Sequence, residues 1–194
     1  MNRINLEIAK QYANENELTK IMGFILFTDN NPYVKKVLRD DDFWQALDEI
    51  SGNEWAIFSI KPKQGKIEIP TSKGNFLQMM VPVWKEPKEN LKLMQEFDLK
   101  DTSKLPMLLI VSQNEEGEIL KCEFPIENSN LDSVYNSLKE GIEIVKSTID
   151  EILPQFKKND EVFINVQRSI EYKLIWKKIH KGLKFYSWIN GLIP

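Results

Sequence analysis

The sequence is poor in the two residue types that most often carry redox and metal chemistry. It contains one cysteine, Cys122, and one histidine, His180. A single cysteine cannot form an intramolecular disulfide, and one cysteine with one histidine cannot supply the ligands of a zinc site. We therefore expect no metal and no cofactor, and we expect a reducing compartment, the cytoplasm.

Long apolar runs are also missing. No stretch approaches the roughly 18 apolar residues that a membrane span needs. The first 20 residues carry acids and asparagines where a signal peptide has its apolar segment. Glycine-rich phosphate-binding motifs and the Gly-x-Ser-x-Gly hydrolase motif do not occur, so the sequence offers no catalytic constellation.

Charge is distributed unevenly along the 194 residues. Residues 155–194 hold eight lysines and arginines against three acids, a net charge of +5. The whole chain has a net charge of −3, so residues 1–154 carry a net charge of −8. This asymmetry predicts either an internal docking surface or an external partner. We divide the chain accordingly into a domain over 1–154 and a helical C-terminal extension over 155–194 that packs on it.

Short apolar runs bounded by turn residues predict buried strands. Gly117 lies between the last two runs and predicts a β-hairpin there, and a second hairpin is predicted as an insert over 63–84. The strand ranges are 24–27, 55–60, 105–111 and 118–124.

Apolar residues at helical spacing predict the helices. Pro32 suits the first turn of one helix, which Asn30 or Asn31 caps and which breaks near Asp40–Asp42 before it ends at Ser51–Gly52. We expect the aspartates to cap the resumed helix rather than to hold a metal. The other predicted helices cover 5–21, 87–97, 131–153 and 161–181, the last of them ending at Gly182 and pairing antiparallel with 131–153.

The order of these elements resembles the thioredoxin fold over roughly residues 5–150. Asn30-Asn31-Pro32-Tyr33 stands where thioredoxins carry Cys-Gly-Pro-Cys, and Leu105–Pro106 stands where the family has its cis-proline. The resemblance implies an α/β fold with a mixed sheet flanked by helices, a cis peptide bond at Pro106, and a groove that holds extended polypeptide. The alternative, in which Pro32 only starts a helix and Pro106 only ends a loop, stays open.

The family's thiols are missing from this turn, since Asn30 and Tyr33 cannot form a thiolate. We therefore expect a redox-inactive module that binds another protein. The alternative is a peroxidase-type or glutathione-type enzyme using Cys122, but that residue alternates with polar neighbours on the apolar face of its strand and is expected to be an inert hydrophobe. The candidate groove residues are Asn30, Asn31, Pro32, Tyr33, Leu105 and Pro106.

Basic and aromatic residues alternate in the C-terminal extension, as they do in membrane-surface helices and some nucleic-acid binders. We favour a helix packed on its own acidic domain, because Phe163, Val166 and Ile170 match the apolar stripe of 131–153. The opposite face then either caps the domain or contacts a partner: a protein, a second copy or a membrane surface, with nucleic acid the least favoured. Its candidate contact residues are Trp176, Lys177, Lys181, Phe185, Tyr186 and Trp188.

Overall fold

A computed structural model describes residues 21–51, 55–59, 93–152 and 159–191, with the last range described by its backbone alone at 159 and beyond 182. Most of the predicted helix over 5–21 and the predicted hairpin over 63–84 lie outside these residues. The side chains of Phe185, Tyr186 and Trp188 lie outside them as well.

The described strands form one mixed four-stranded sheet, in the order β2-β1-β3-β4. Strand β1 pairs in parallel with β2 and antiparallel with β3, and β3 pairs antiparallel with β4 through the predicted hairpin. Gly117 adopts a φ of +87° in that turn, a conformation that glycine reaches without steric cost. The strands are β1 Met22–Leu26, β2 Ala56–Ser59, β3 Met107–Gln113 and β4 Ile119–Pro125.

Four helices of six residues or more flank the described sheet. The predicted break near the aspartates is confirmed, because the Asp40 carboxylate accepts hydrogen bonds from the backbone N–H groups of Asp42 and Phe43 at 3.1 and 3.4 Å and so starts a new helix. Residues 93–96 are also helical. The helices are α1 Pro32–Val37, α2 Asp41–Ser51, α3 Leu131–Ile152 and α4 Asn159–Gly191.

Alternate residues of the strands face two separate cores. Phe24 and Leu109 lie on one face of the sheet, against the helical segment at 93–97. Ile25 and Leu108 lie on the other face, in a larger cluster that includes apolar residues of all four helices. The period of two follows from the pleat of a strand. The fold is therefore a mixed α/β sheet with helices on both faces, and a helical C-terminal part packs on one of them.

Helices α3 and α4 run antiparallel, as the sequence predicted. The Thr148 hydroxyl lies 3.0 Å from the Ser169 hydroxyl, and the Glu140 carboxylate binds Lys173 at 3.0 Å, so positions rise along α4 as they fall along α3. The predicted end of α4 at Gly182 is wrong. This glycine has no neighbour within 4 Å and the helix continues through it, since a solvent-facing glycine inside a helix costs only about 1 kcal/mol.

Candidate binding surface at the loop end of the sheet

Three loops leave the sheet at the same end, which we call the loop end. The last residue of β1, Leu26, pairs with the first residue of β3, Met107, and Met107 pairs with Pro125 at the end of β4. The turn after β1, the Leu105–Pro106 segment and the loop from β4 to α3 therefore emerge side by side. The sheet register thus brings the two halves of the predicted groove to one edge.

The turn between β1 and α1 is held by the side chain of Asn31, which is buried. Its Oδ1 accepts hydrogen bonds from the Thr28 N–H at 2.7 Å and the Thr28 hydroxyl at 3.0 Å. Asn31 occupies the N-cap position, but its side chain makes no bond to the helix that it precedes. The prediction that Asn31 precedes the helix as its N-cap residue is confirmed, but its side-chain amide bonds back to Thr28 and closes the turn instead of capping α1.

One backbone N–H group in the first turn of α1 bonds to a side chain from a distant part of the chain. Asn128, in the loop between β4 and α3, accepts a hydrogen bond from the Val34 N–H at 3.3 Å. This contact spans 94 positions and ties the β4–α3 loop to the first turn of α1. A local sequence pattern cannot predict a hydrogen bond between residues this far apart in the chain.

A buried lysine on α1 bonds to the turn between β1 and α1. Lys35 is only 3% exposed, and its ammonium forms an ion pair with the Asp29 carboxylate and donates to the Asp29 carbonyl at 3.0 Å. Removal of the partly exposed Asp29 carboxylate would leave the buried ammonium charge uncompensated, so the pair holds the turn in place. The sequence analysis did not identify Lys35, since a lysine on a short helix is normally exposed.

The Leu105–Pro106 peptide bond is cis, as the resemblance implied. The Pro106 carbonyl accepts a hydrogen bond from the Ile126 N–H at 3.0 Å, and the Leu105 N–H donates to the Thr102 carbonyl at 3.2 Å. Pro106 itself is buried and Leu105 is half-buried. This segment is therefore joined to the β4–α3 loop, which in turn contacts α1.

The predicted groove residues divide into supporting and accessible ones. Asn31 and Pro106 are buried, whereas Asn30 and Pro32 are exposed and Tyr33 is half-buried. The loop end therefore presents an accessible tip with a proline and an aromatic ring on a braced turn.

Cys122 lies inside the fold. It is buried on β4 within the larger core cluster. Burial, followed by the nearby carboxylates of Glu171 and Glu123, raises the pKa of its thiol to about 12. The thiol is neutral at physiological pH. Within the described ranges no three His, Cys, Asp or Glu side chains group in a way that would hold a metal ion.

An open cleft that the sequence analysis missed lies where the α1–α2 break meets the start of α3. It encloses about 380 Å³ and is lined by Lys36, Arg39, Asp40, Phe43 and Leu131. Burial lowers the pKa of the Arg39 guanidinium. The lining residues come from separate elements, so only the tertiary fold brings them together.

The described tail residues lie on two sides of α4. Trp176 and Lys181 are exposed, as is His180. Lys177 faces inward, pairs with the Glu140 carboxylate and has its ammonium 5.2 Å from the centre of the Phe124 ring. Burial raises the pKa of Glu140, but hydrogen bonds from Lys177 and Lys173 outweigh it and hold that pKa below its ordinary value.

No family model, curated protein or solved structure matches the chain. In the described part, no helix has both the length and the hydropathy of a membrane span.

Proposed function

We propose that this chain is a member of the thioredoxin-like superfamily that has no thiol chemistry and that binds an extended polypeptide segment at the loop end of its sheet. The observation that carries the proposal is the braced turn between β1 and α1. Its tip is exposed, yet the side chains of Asn31 and Lys35 bond to its backbone at Thr28 and Asp29. The Asn128 side chain holds the first turn of the helix that follows.

A turn held in this way is preorganised for binding. Ordering a flexible loop on association costs free energy, and a loop that is already ordered avoids that cost. Polar side chains fix a turn that contains no thiol and no histidine, and its one acid, Asp29, is paired with Lys35. A binding role explains why side-chain bonds fix this turn, whereas a turn that only starts a helix does not require them.

An extended polypeptide is the partner that the exposed groups fit. Pro32 and Tyr33 supply apolar contact, and the main chain at Leu105 supplies a strand-like pairing position. The Leu105 N–H is already bonded to Thr102, and among the described residues no donor bonds to the Leu105 carbonyl, which would accept from the polypeptide.

The surroundings of Cys122 support the absence of thiol chemistry. A thiol nucleophile requires a lowered pKa and access to solvent, and Cys122 has a raised pKa and is buried. A lone buried thiol also supports a cytoplasmic location. We further propose the division into 1–154 and 155–194, with the extension sharing the core of the domain through Phe163 and Val166.

Selection of peptides from a random displayed library against the wild-type protein tests the binding proposal. Asn30→Arg places bulk and charge at the exposed tip without removing the side-chain bonds that hold the turn. It should weaken the affinity for the selected peptides at least about tenfold. Glu116→Arg makes a change of similar size in the β3–β4 turn, at the opposite end of the sheet, and should leave affinity unchanged. Equal binding by the wild type and Asn30→Arg would place the site elsewhere, and failure to select any peptide would count against polypeptide binding.

A disulfide-reduction assay with the wild type and Cys122→Ser tests the proposal that the protein has no thiol chemistry. We expect both proteins to match the background rate. Turnover that disappears in Cys122→Ser would show an enzyme that uses this thiol.

A further inference from the structure

Helix α4 carries most of the large apolar side chains that are exposed in the described part of the protein. Six such side chains are exposed there, and five of them belong to α4. Four of the five follow the i, i+3, i+4, i+7 spacing of a single helix face, and we call this set the outer stripe. Its members are Tyr172 at 65% exposure, Ile175 at 55%, Trp176 at 51% and Ile179 at 47%.

The core covers the opposite side of α4 and leaves the outer stripe open. Val166 and Ile170 on that opposite side are buried in the larger core cluster. The rings of Tyr172 and Trp176 meet edge to face, with their centres 6.3 Å apart, so the stripe is one continuous apolar surface. Contiguous apolar surface of this kind on a folded protein marks an interaction site.

Charges of both signs lie along one flank of the outer stripe. Glu171 precedes Tyr172 and Lys178 precedes Ile179, so the two charged residues occupy equivalent positions seven residues apart. Both are exposed. The Glu171 carboxylate accepts a hydrogen bond from the Gln167 side chain at 2.8 Å, on the same flank. A partner that covers the stripe therefore needs apolar groups at its centre and both an anion and a cation along one edge.

The other charges of α4 near the stripe lie away from this flank. Lys173 and Lys177 are on the side next to α3, where both pair with the Glu140 carboxylate. Lys181 follows on that side, one turn after Lys177. Arg168 is exposed one turn before the stripe begins. The pair of opposite charges on the free flank is therefore the feature that discriminates between partners.

A second copy of the chain meets these requirements when its α4 packs antiparallel to the first. Two antiparallel helices related by a two-fold axis bring the same flank of each helix side by side. Glu171 of one copy then lies beside Lys178 of the second copy, and the symmetry makes this ion pair twice. With the axis at the middle of the stripe, the two positions differ by about 3 Å along the helix axes at 1.5 Å per residue, which a lysine side chain spans. A parallel pair brings opposite flanks together and makes neither ion pair, so the charges select the antiparallel orientation.

The outer stripe is complementary to itself in the same orientation. With the two-fold axis between Ile175 and Trp176, Tyr172 lies opposite Ile179 of the second copy. Ile175 lies opposite Trp176 of the second copy. Each aromatic ring therefore packs against an isoleucine, and no layer of the contact places two rings face to face.

The size of the contact sets its strength. The exposed parts of the four stripe residues amount to roughly 400–500 Å² in each copy, so two copies bury on the order of 1,000 Å² in total. That area is at the lower end for a specific interface, where complexes are weak and reversible. We therefore expect a dissociation constant of roughly 1–100 µM.

We propose that α4 mediates homodimerisation. The outer stripes of two copies pack against each other in antiparallel orientation, and two ion pairs between Glu171 and Lys178 flank the contact. An anionic membrane surface fits this face less well, because it would place the Glu171 carboxylate next to lipid phosphates.

Sedimentation equilibrium of the full chain over about 1–500 µM tests the proposal. We expect a reversible equilibrium between monomer and dimer, and a protein that stays monomeric over the whole range would overturn the proposal. Trp176→Ser should weaken dimerisation at least about tenfold. Ile119→Ser is the matched control, since it removes an exposed apolar side chain from β4, and it should leave dimerisation unchanged. Equal effects of the two substitutions would overturn the assignment to α4.

Reversal of the two flanking charges tests the antiparallel register at low salt. Glu171→Lys places two lysines together at each ion pair, and Lys178→Glu places two carboxylates there. Each single variant should therefore dimerise at least about tenfold more weakly than the wild type. An equal mixture of the two variants pairs the introduced lysine with the introduced glutamate and the native lysine with the native glutamate. The mixture should dimerise about as strongly as the wild type, and so should the chain that carries both substitutions.

Glu116→Lys and Lys100→Glu are the matched controls, because they make the same changes of charge at exposed positions outside α4. Neither control should weaken the dimer, and their mixture should gain nothing. If neither the mixture nor the doubly substituted chain recovers dimerisation, the antiparallel pairing is wrong. Association with vesicles of phosphatidylcholine and phosphatidylglycerol, without any dimer, would assign the stripe to a lipid surface and overturn the proposal.

Discussion

Replacing Phe163 by alanine tests whether α4 is an integral part of the core. Phe163 is 2% exposed and belongs to the same buried cluster as Leu108, Phe124 and Ile142. Removing the ring loses the transfer free energy of a buried phenylalanine, roughly 1.5–3 kcal/mol. It also leaves a cavity between α4 and its neighbours, so the free energy of unfolding should fall by about 3–5 kcal/mol in total.

Urea unfolding followed by far-ultraviolet circular dichroism measures this loss. With an m-value on the order of 2–3 kcal/mol/M, the midpoint should fall by about 1–2.5 M. Ile164→Ala is the matched control, because Ile164 is the next residue on α4 and is exposed. That variant should stay within about 0.5 kcal/mol of the wild type.

The comparison between the two variants decides the point. A loss below about 1 kcal/mol for Phe163→Ala, or equal losses for both variants, would refute the conclusion that α4 is part of the core. A large loss for Phe163→Ala alone would mean that residues 155–194 cannot be removed without destabilising the sheet.

Two further predictions concern helix packing. A Cβ at Gly141 would lie 2.9 Å from the Phe124 ring, so Gly141→Ala should lower the free energy of unfolding by about 1–3 kcal/mol through overpacking. Gly182 has open space around it, so Gly182→Ala should raise the free energy of unfolding by about 1 kcal/mol. Equal effects of the two substitutions in urea unfolding would contradict this packing. The lowered pKa of Glu140 means that its ionised form contributes stability at pH values above the unfolded pKa of about 4.3, and that this contribution disappears as pH falls through the folded pKa. The stability difference between the wild type and Glu140→Gln should therefore be largest near neutral pH and vanish in acid, and a difference independent of pH would show that Glu140 does not act through its charge.

Several features of the fold could be predicted because their signals are local. The break between α1 and α2 follows from Asp40, whose carboxylate caps a helix that starts one residue later. The β3–β4 turn follows from Gly117, which adopts a positive φ. The closing helix α3 follows from a long apolar stripe. In each case the free energy that decides the structure comes from residues a few positions apart.

Predictions that assigned a residue a fixed role from its type were less successful. Gly182 is a good helix-ending residue in general, but here the helix passes through it. Asn31 is a good capping residue in general, but its amide bonds backward to Thr28, and α1 receives Asn128 instead. Both outcomes depend on which neighbours the fold supplies, and the residue type does not specify them.

The sequence by itself determined the apolar periodicities of the strands and helices, the charge contrast between the body and the C-terminal extension, and the lack of a thiol in the turn after β1. These properties belong to residue identity and short-range spacing. The tertiary structure alone decided that three loops meet at one end of the sheet, that Lys35 is buried beneath the turn, and that the apolar side of α4 bearing Trp176 faces outward. Those outcomes arise from contacts between residues far apart in the chain, where the gain from burying surface and pairing charges outweighs the preference of any single residue.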